Sequence, residues 1–272
     1  MRLQEYGVGI FDAYPTKSAL KKALKKNYIT VNGIVATSAT YINGGESITL
    51  TVPENTTSIK RFNLKLQLLF EDDYLAVIHK PAGILVSGNH FRTITNALVH
   101  NLQRSSSPDA TKPQPVHRLD FATTGVLLVG KTNGAIRALN KQFENKDIEK
   151  TYFAVTIGKM NRKGTLISDI DNKPSKSIYK VEKTVLSKRF GQLNLVKLRP
   201  FTGRRHQLRI HLSEIGNPIL GDKDYGIEPL ILNGKGMYLH ACSLKFRHPF
   251  LNEAVEIRSE LPKKFNKLFS PK

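Results

Sequence analysis

Residues 115–139 read PVHRLDFATTGVLLVGKTNGAIRAL, and two incompatible motifs overlap in them. From Gly125 to Thr132 the letters G-V-L-L-V-G-K-T match the phosphate-cradling P-loop pattern. From His117 to Asp120 they spell H-R-L-D, an arginine and an aspartate two residues apart. A P-loop needs a buried strand, then an open glycine loop whose backbone N–H groups face phosphates, then a helix. What precedes Gly125 is H-R-L-D-F-A-T-T, too polar for a buried strand. What lies between the glycines, Val126-Leu127-Leu128-Val129, is the best buried-strand sequence of the region and cannot also be a solvent-facing loop. A helix after Lys131-Thr132 does fit the P-loop pattern, but the strand requirement decides against it. That leaves H-R-L-D. If this segment is extended, Arg118 and Asp120 share a side and Leu119 takes the other. A neighbouring guanidinium favours the ionised form of a carboxylate, and an ionised, oriented aspartate is a nucleophile. An isolated Arg-x-Asp pair is more often a structural ion pair, so spacing alone leaves both roles open.

The 272-residue chain carries 42 Lys+Arg against 22 Asp+Glu, a net charge of +20. Self-repulsion on that scale points to a polyanionic partner, nucleic acid ahead of an anionic membrane surface. A merely soluble basic protein is the alternative. No apolar run approaches the roughly 18–20 residues of a bilayer span. Glu5 and Asp12 interrupt the stretch where a signal peptide needs continuous apolar residues, so a cytoplasmic protein is expected. The lone Cys242 has no partner for an internal disulfide or thiolate cluster and reads as a small buried hydrophobe. His117, His206, His211 and His240 are too scattered to argue for a ligand set, and neither metal nor cofactor is expected.

The order along the chain predicts an N-terminal unit at 1–53, a linker at 54–65 and a larger unit at 66–272. In the first, the four-residue beat A-L-K-K-A-L-K-K places Ala19, Leu20, Ala23 and Leu24 on one helical face and Lys21, Lys22, Lys25 and Lys26 on the other. Asn27 ends that helix, a short strand runs from Tyr28 to Val31, and Asn32-Gly33 is a hairpin turn signal. In the second, LQLLFEDDYLAVIHKPAGILV predicts a buried strand, an acidic turn and another strand, and 104–115 predicts a surface loop. A helix is expected over about 135–145, with strands near 151–157, 178–185 and 193–198. Leu208, Leu212 and Ile215 share the apolar face of a helix that stops before Gly216. Strand pairs with occasional helices, lacking regular βα alternation, favour α+β over a doubly wound sheet.

The phrase around residues 13–52 resembles the small S-four-like RNA-binding domain, named after the fourth protein of the small ribosomal subunit. The longer phrase HRLDFATTGVLLVGKT resembles the signature H-R-L-D-x-x-T-S-G-L-L-L-x-A-K of the RluA-type RNA pseudouridine synthases. HKPAGILV at 79–86, KTYFAVTIG at 150–158, TGRRHQLRIHLSEIGNPILGDKDYG at 202–226 and YLHACSLKFRHP at 238–249 are similar to further motifs of that family, in the same order. The chain departs from the pattern at Thr124, Gly130 and Arg205, where serine, alanine and threonine are usual.

The resemblance implies a mixed, largely antiparallel central sheet flanked by helices, and a small α/β RNA-binding domain at the N-terminus. It implies isomerisation of uridine to pseudouridine in RNA without a cofactor. On this resemblance Asp120 acts at the ribose, Arg209 pairs with it, and Tyr152 stacks on the target base and takes its C5 proton. Arg118 reads or replaces flipped nucleotides, and Leu239 packs against the base. Lys21, Lys22, Lys25, Lys26, Arg204 and Arg205 would grip phosphates. Ribosomal RNA is the favoured partner over transfer RNA, with no membrane role and a monomeric state. A catalytically silent RNA-binding or ribosome-assembly factor is the alternative.

Overall fold

The computed structural model describes all residues except 9, 12, 13, 15, 52–61, 233 and 270–272. Most of the expected linker therefore falls outside the described residues. Contacts divide the chain into two units, Met1–Lys60 and Arg61–Lys272.

The first unit holds α1 (Leu3–Tyr6), α2 (Lys17–Lys25), β1 (Ile29–Val31), β2 (Ile34–Val35) and β3 (Ile48–Leu50). Thr16 caps α2, its hydroxyl accepting the N–H of Ala19 at 3.2 Å. Leu20, Ala23 and Leu24 pack against Leu3, Ile29, Ala36 and Ile42, whereas Lys21, Lys22, Lys25 and Lys26 are exposed. Asn27 takes the left-handed conformation (φ 58°) just beyond the helix. Asn32 and Gly33, both at positive φ, form the turn between β1 and β2. The strands form a small antiparallel sheet in the order β2-β1-β3.

The second unit begins with β4 (Gln67–Glu71), β5 (Leu75–Lys80), α3 (Ile94–Leu98), β6 (Ala110–Pro115), β7 (Thr124–Thr132) and α4 (Asn133–Asn145). It continues with β8 (Glu149–Ile157), β9 (Lys163–Ile170), β10 (Lys173–Ser187), β11 (Gly191–Pro200) and α5 (Gln207–Glu214). Beyond a short 3-10 turn come β12 (Leu239–Arg247), β13 (Ala254–Arg258) and α6 (Lys263–Phe269). Ten strands form one sheet in the order β4-β5-β7-β12-β8-β11-β10-β9, with β13 on β12 and β6 on β7. The architecture is α+β, a mixed and largely antiparallel central sheet with helices, plus the smaller N-terminal α/β unit. Between the described strands of this sheet the one parallel pairing joins β7 to β12, with His240 beside Thr124 and Ala241 beside Gly125.

That seam explains every letter of the apparent P-loop. Val126 to Val129 are fully buried strand residues, each stabilising the fold by about 1.5–3 kcal/mol. Gly125, at φ +117°, lies so close to β12 that a Cβ would sit 2.1 Å from the carbonyl oxygen of Ala241. At Gly130 a Cβ would come within 2.5 Å of Ile136 Cγ1 on α4. Lys131 is buried and donates to Glu71 at 2.8 Å and to the carbonyl of Asp72 at 2.6 Å. Thr132 caps α4, accepting the N–H of Ala135 at 3.1 Å. The pattern is a strand with close-packing glycines, and none of its groups is open to a phosphate.

Three expectations are corrected. The last six residues of the predicted loop 104–115 form β6. Its pairing with β7 slips between Ala110 and Gln114, as suits a polar edge strand whose prolines cannot donate. The predicted buried strand β4 is half-exposed, because it ends the sheet and pairs with β5 alone. Ile215 is 41% exposed rather than on the buried face with Leu208 and Leu212. The helix has stopped at Glu214, and Gly216 turns the chain at φ 76°. Among the described residues no helix is long and apolar enough to cross a membrane.

His117 ties the segment before β7 to the sheet: its ring Nε2 accepts the backbone N–H of Leu128 at 3.0 Å. Only a neutral imidazole accepts there, and burial pushes its pKa down from 6.5 to about 3. Below pH 6.5 the unfolded chain binds a proton that the folded chain refuses. The stabilisation is therefore complete above pH 6.5 and is lost as pH falls toward 3, by up to about 1.4 kcal/mol per pH unit. Urea unfolding at a series of acidic pH values should show a shallower loss in His117→Gln, whose amide oxygen accepts the same N–H without titrating; equal slopes would contradict this. Gly125→Ala should destabilise by on the order of 3 kcal/mol or more. Gly203→Ala, where a Cβ meets nothing within 4 Å, should leave the unfolding midpoint nearly unchanged.

Candidate active site

The segment before β7 is fixed from beneath and behind. Leu119 is buried in the core formed by Ile78, Leu98, Leu127 and Ala241, so its neighbours Arg118 and Asp120 are turned outward. Asp120 opens a tight turn closed by the N–H of Thr123 on its carbonyl at 3.1 Å. Lys80, at the end of β5 and fully buried, aims its ammonium at that turn. It donates to the carbonyls of Thr123 (2.8 Å), Pro81 (3.0 Å) and Phe121 (3.3 Å). Burial lowers the Lys80 pKa to about 8 even though the Asp120 charge opposes the shift. The N–H of Gly83 adds a 2.8 Å bond to the Phe121 carbonyl. Across the seam Thr124 Oγ1 and His240 Nδ1 lie 2.8 Å apart.

The opposite wall comes from α5 and the G-D-K-D segment after it. Gln207 locks the entry to the helix: its Oε1 accepts from Thr202 Oγ1 (2.6 Å) and the N–H of Arg204 (3.0 Å), while its amide donates to Ser177 Oγ (2.9 Å). His206, just before α5, adopts the left-handed conformation at φ 55°. Three residues later Arg209 is only 6% exposed. Its Nε and Nη2 donate to the two oxygens of Asp222, each at 2.6 Å, and Nη2 also reaches Asp224 at 2.6 Å. Burial opposes its charge, but these carboxylates outweigh burial and hold the guanidinium charged. The face of the Tyr225 ring lies 4.8 Å from it. The same clamp leaves Nη1 directed at Asp120, 3.9 Å from Oδ2.

His206 Nε2 lies 3.9 Å from Asp120 Oδ1, and its Nδ1 is 3.0 Å from the Tyr225 hydroxyl. Both approaches to Asp120 exceed hydrogen-bond length. Among the described residues neither carboxylate oxygen accepts a hydrogen bond. The aspartate thus sits in the field of a fixed cation with both oxygens free.

Two cavities meet at this carboxylate. One, of about 460 Å³, is lined by Tyr152, Leu239 and Lys150. The other, of about 870 Å³, is lined by Phe121, Arg205 and Lys223. Arg118, Asp120, Arg204, His206 and Arg209 line both. Tyr152 comes from β8, in register with Ala241 of β12. Burial and the Asp120 charge raise its pKa well above the usual phenol value, so it is a neutral phenol in the free site. Leu239, at the start of β12, is 2% exposed.

The structure thus gathers Asp120, Tyr152, Arg209, Arg118, Leu239, Arg204 and Arg205 around one cleft. Arg118 is exposed and its guanidinium makes no hydrogen bond or ion pair among the described residues; the guanidinium beside Asp120 belongs to Arg209, not to the sequence neighbour. In the separate N-terminal unit, Lys22, Lys25 and Lys26 line a surface hollow with Tyr14, and Lys21 is exposed outside it. Lys80, His206, Asp222 and Asp224 carry no assigned role in the sequence reading. The signals were present, in H-K-P-A-G, R-H-Q-L-R and G-D-K-D, but only folding brings them to Asp120. Among the described residues no group of three or more His, Cys, Asp or Glu side chains is placed to hold a metal ion.

Comparison with known proteins gives the family. The family described as RNA pseudouridylate synthase matches residues 74–214. An RNA pseudouridine synthase of Aquifex aeolicus is 33% identical over 95% of this chain and 90% of its own length. The ribosomal large subunit pseudouridine synthase D of Pasteurella multocida is 30% identical over 98% of this chain and 90% of its own. Among solved structures, the human RNA pseudouridylate synthase domain containing 4 aligns with a TM-score of 0.56 and 27% identity. That alignment covers 74% of this chain and 90% of the human one. With a profile spanning the Asp120 turn, β7, β8 and α5, and relatives matched over nearly the whole length, the chain belongs to the RNA pseudouridylate synthase family.

Proposed function

We propose that the protein converts specific uridines of structured RNA, ribosomal RNA foremost, to pseudouridine, and that Asp120 acts at the ribose of a flipped-out nucleotide. The observation that carries this reading is the Asp120 carboxylate, unbonded at both oxygens, 3.9 Å from a clamped Arg209 and sharing a cavity with Tyr152. A silent RNA-binding factor needs basic surfaces but not a buried cation held by two acids against a third. Ribosomal RNA is favoured because the Pasteurella multocida relative, matched over 98% of this chain, is named for the large ribosomal subunit. A monomer acting in the cytoplasm belongs to the same proposal.

The reaction breaks the N1–C1′ bond, turns the base, joins C5 to C1′, and moves the C5 proton away while N1 gains one. Asp120 either attacks C1′ or assists elimination toward a glycal. Both routes consume its charge, and Arg209 holds that charge ready beforehand. Spending the charge also matters for Tyr152. Its phenol is kept neutral by burial and by Asp120, so it serves first as a flat surface for the base. Loss of the Asp120 charge removes one of the two effects that oppose ionisation of the phenol; once its own proton has passed to N1, the phenolate takes the proton from C5, which places that step late.

Flipping a uridine from its stack costs a few kcal/mol, and the exposed Arg118 guanidinium suits the vacated position by stacking and paired hydrogen bonds. Arg204, Arg205 and the lysines of α2 and its cap supply phosphate contacts, so binding should weaken steeply with salt.

Asp120→Asn should lower pseudouridine formation by about a thousandfold or more, while RNA affinity at fixed salt stays within a few-fold. Single-turnover product analysis and filter binding measure the two. Undiminished turnover in the variant would refute the assignment.

A further inference from the structure

Four phenylalanines stand exposed among the described residues: Phe91, Phe121, Phe201 and Phe250. Three have a partner for the ring. Phe91 meets Phe62 edge-on at 6.0 Å, Phe250 stacks on Tyr74 at 4.2 Å, and the Lys176 ammonium lies 5.3 Å from the Phe201 ring. Phe121 is 55% exposed and, among the described residues, has neither a ring nor a cation against it. Its backbone, in contrast, is tightly held. It occupies the second position of the turn that Asp120 opens, and its carbonyl accepts from both Gly83 and Lys80. A large apolar ring is thus presented to solvent from a fixed point, one residue from the reacting carboxylate.

The surroundings say what such a ring is for. Phe121 lines the larger cavity and Tyr152 the smaller, and Asp120 lies where they join. Arg118, Arg205 and Lys223 also line the larger cavity, are exposed, and have side-chain cations that make no hydrogen bond or ion pair among the described residues. The acids there, Asp120 and Asp224, both face Arg209. An open aromatic face ringed by unpaired cations matches one chemistry: a nucleic-acid base whose flanking phosphates need neutralising.

We propose that Phe121 is a stacking platform for a second, unpaired base of the RNA, beside the nucleotide held at Tyr152. The inference rests on RNA being the substrate and extends it to a subsite. The enzyme therefore takes a target whose neighbouring nucleotide is also unstacked, as in a loop or bulge. A duplex that yields only one base leaves this face empty.

The chain contains no tryptophan, so Phe121→Trp places a single indole at the subsite in the full-length protein. Titration with an oligouridine RNA should quench its emission, because a base stacks on it. An abasic ribose-phosphate oligomer of equal length and charge should bind without quenching. Phe121→Ala should raise KM for an unmodified ribosomal RNA transcript about tenfold with kcat nearly unchanged, and Phe121→Tyr should restore KM. Unchanged indole emission at saturation, equal quenching by the abasic oligomer, or an unaltered KM in Phe121→Ala would overturn the proposal. The quenching readout requires no turnover. Failure of the wild-type chain to make pseudouridine would strike the proposed reaction, and quenching would still decide the subsite.

Discussion

The structure turns on the seam where β7 runs parallel to β12 at Gly125 and Ala241. Every other strand pairing in the large sheet is antiparallel, and in the strand order this pairing links β4-β5-β7 to β12-β8-β11-β10-β9. Its geometry permits no side chain at residue 125. Because the two strands run the same way, their starting ends lie together. The turn that carries Asp120 leads into β7 at that end, and Leu239 begins β12 there. Antiparallel pairing of β8 with β12 then brings Tyr152 beside Ala241. The cleft is a consequence of strand direction, with residues far apart in the chain delivered to one edge.

Electrostatic order within the cleft is built in layers. Asp222 and Asp224 fix Arg209, which leaves one guanidinium nitrogen facing Asp120. Lys80, buried under the turn, donates to the carbonyls of Phe121 and Thr123 in the turn and to that of its neighbour Pro81, so it sets the position of Asp120 without occupying its oxygens. A direct 2.6 Å ion pair to Arg209 would tie up the reacting atoms. The 3.9 Å separation keeps the field and frees the oxygens. His206, strained into the left-handed region, bounds the other side.

Much of this was legible in the letters, for reasons that differ by residue. Val126 to Val129 announced a buried strand, and that was enough to reject the P-loop. The lysine face of α2 and its cap and the Asn32-Gly33 turn followed from local periodicity and turn chemistry. Edge elements were illegible: β6 is polar and holds two prolines, and pairing with β7 makes it a strand. Burial of β4 was misjudged because an apolar run does not reveal whether a strand sits inside a sheet or at its end. The partner of Asp120 could not be found from spacing, which pointed to Arg118. Arg209 reaches it from 89 positions away only through α5, and the acid clamp behind Arg209 is legible only after folding.

The most direct test of the account is the rate of pseudouridine formation by Asp222→Asn in a single turnover, with RNA affinity measured in parallel. Asp222 is buried; its Oδ1 also accepts the N–H groups of Asp224 and Tyr225, and its link to Asp120 runs through Arg209, so the rate should fall about ten- to a hundredfold while affinity stays within about twofold. A rate equal to that of the unaltered protein, or a loss accounted for entirely by weaker RNA binding, would contradict it.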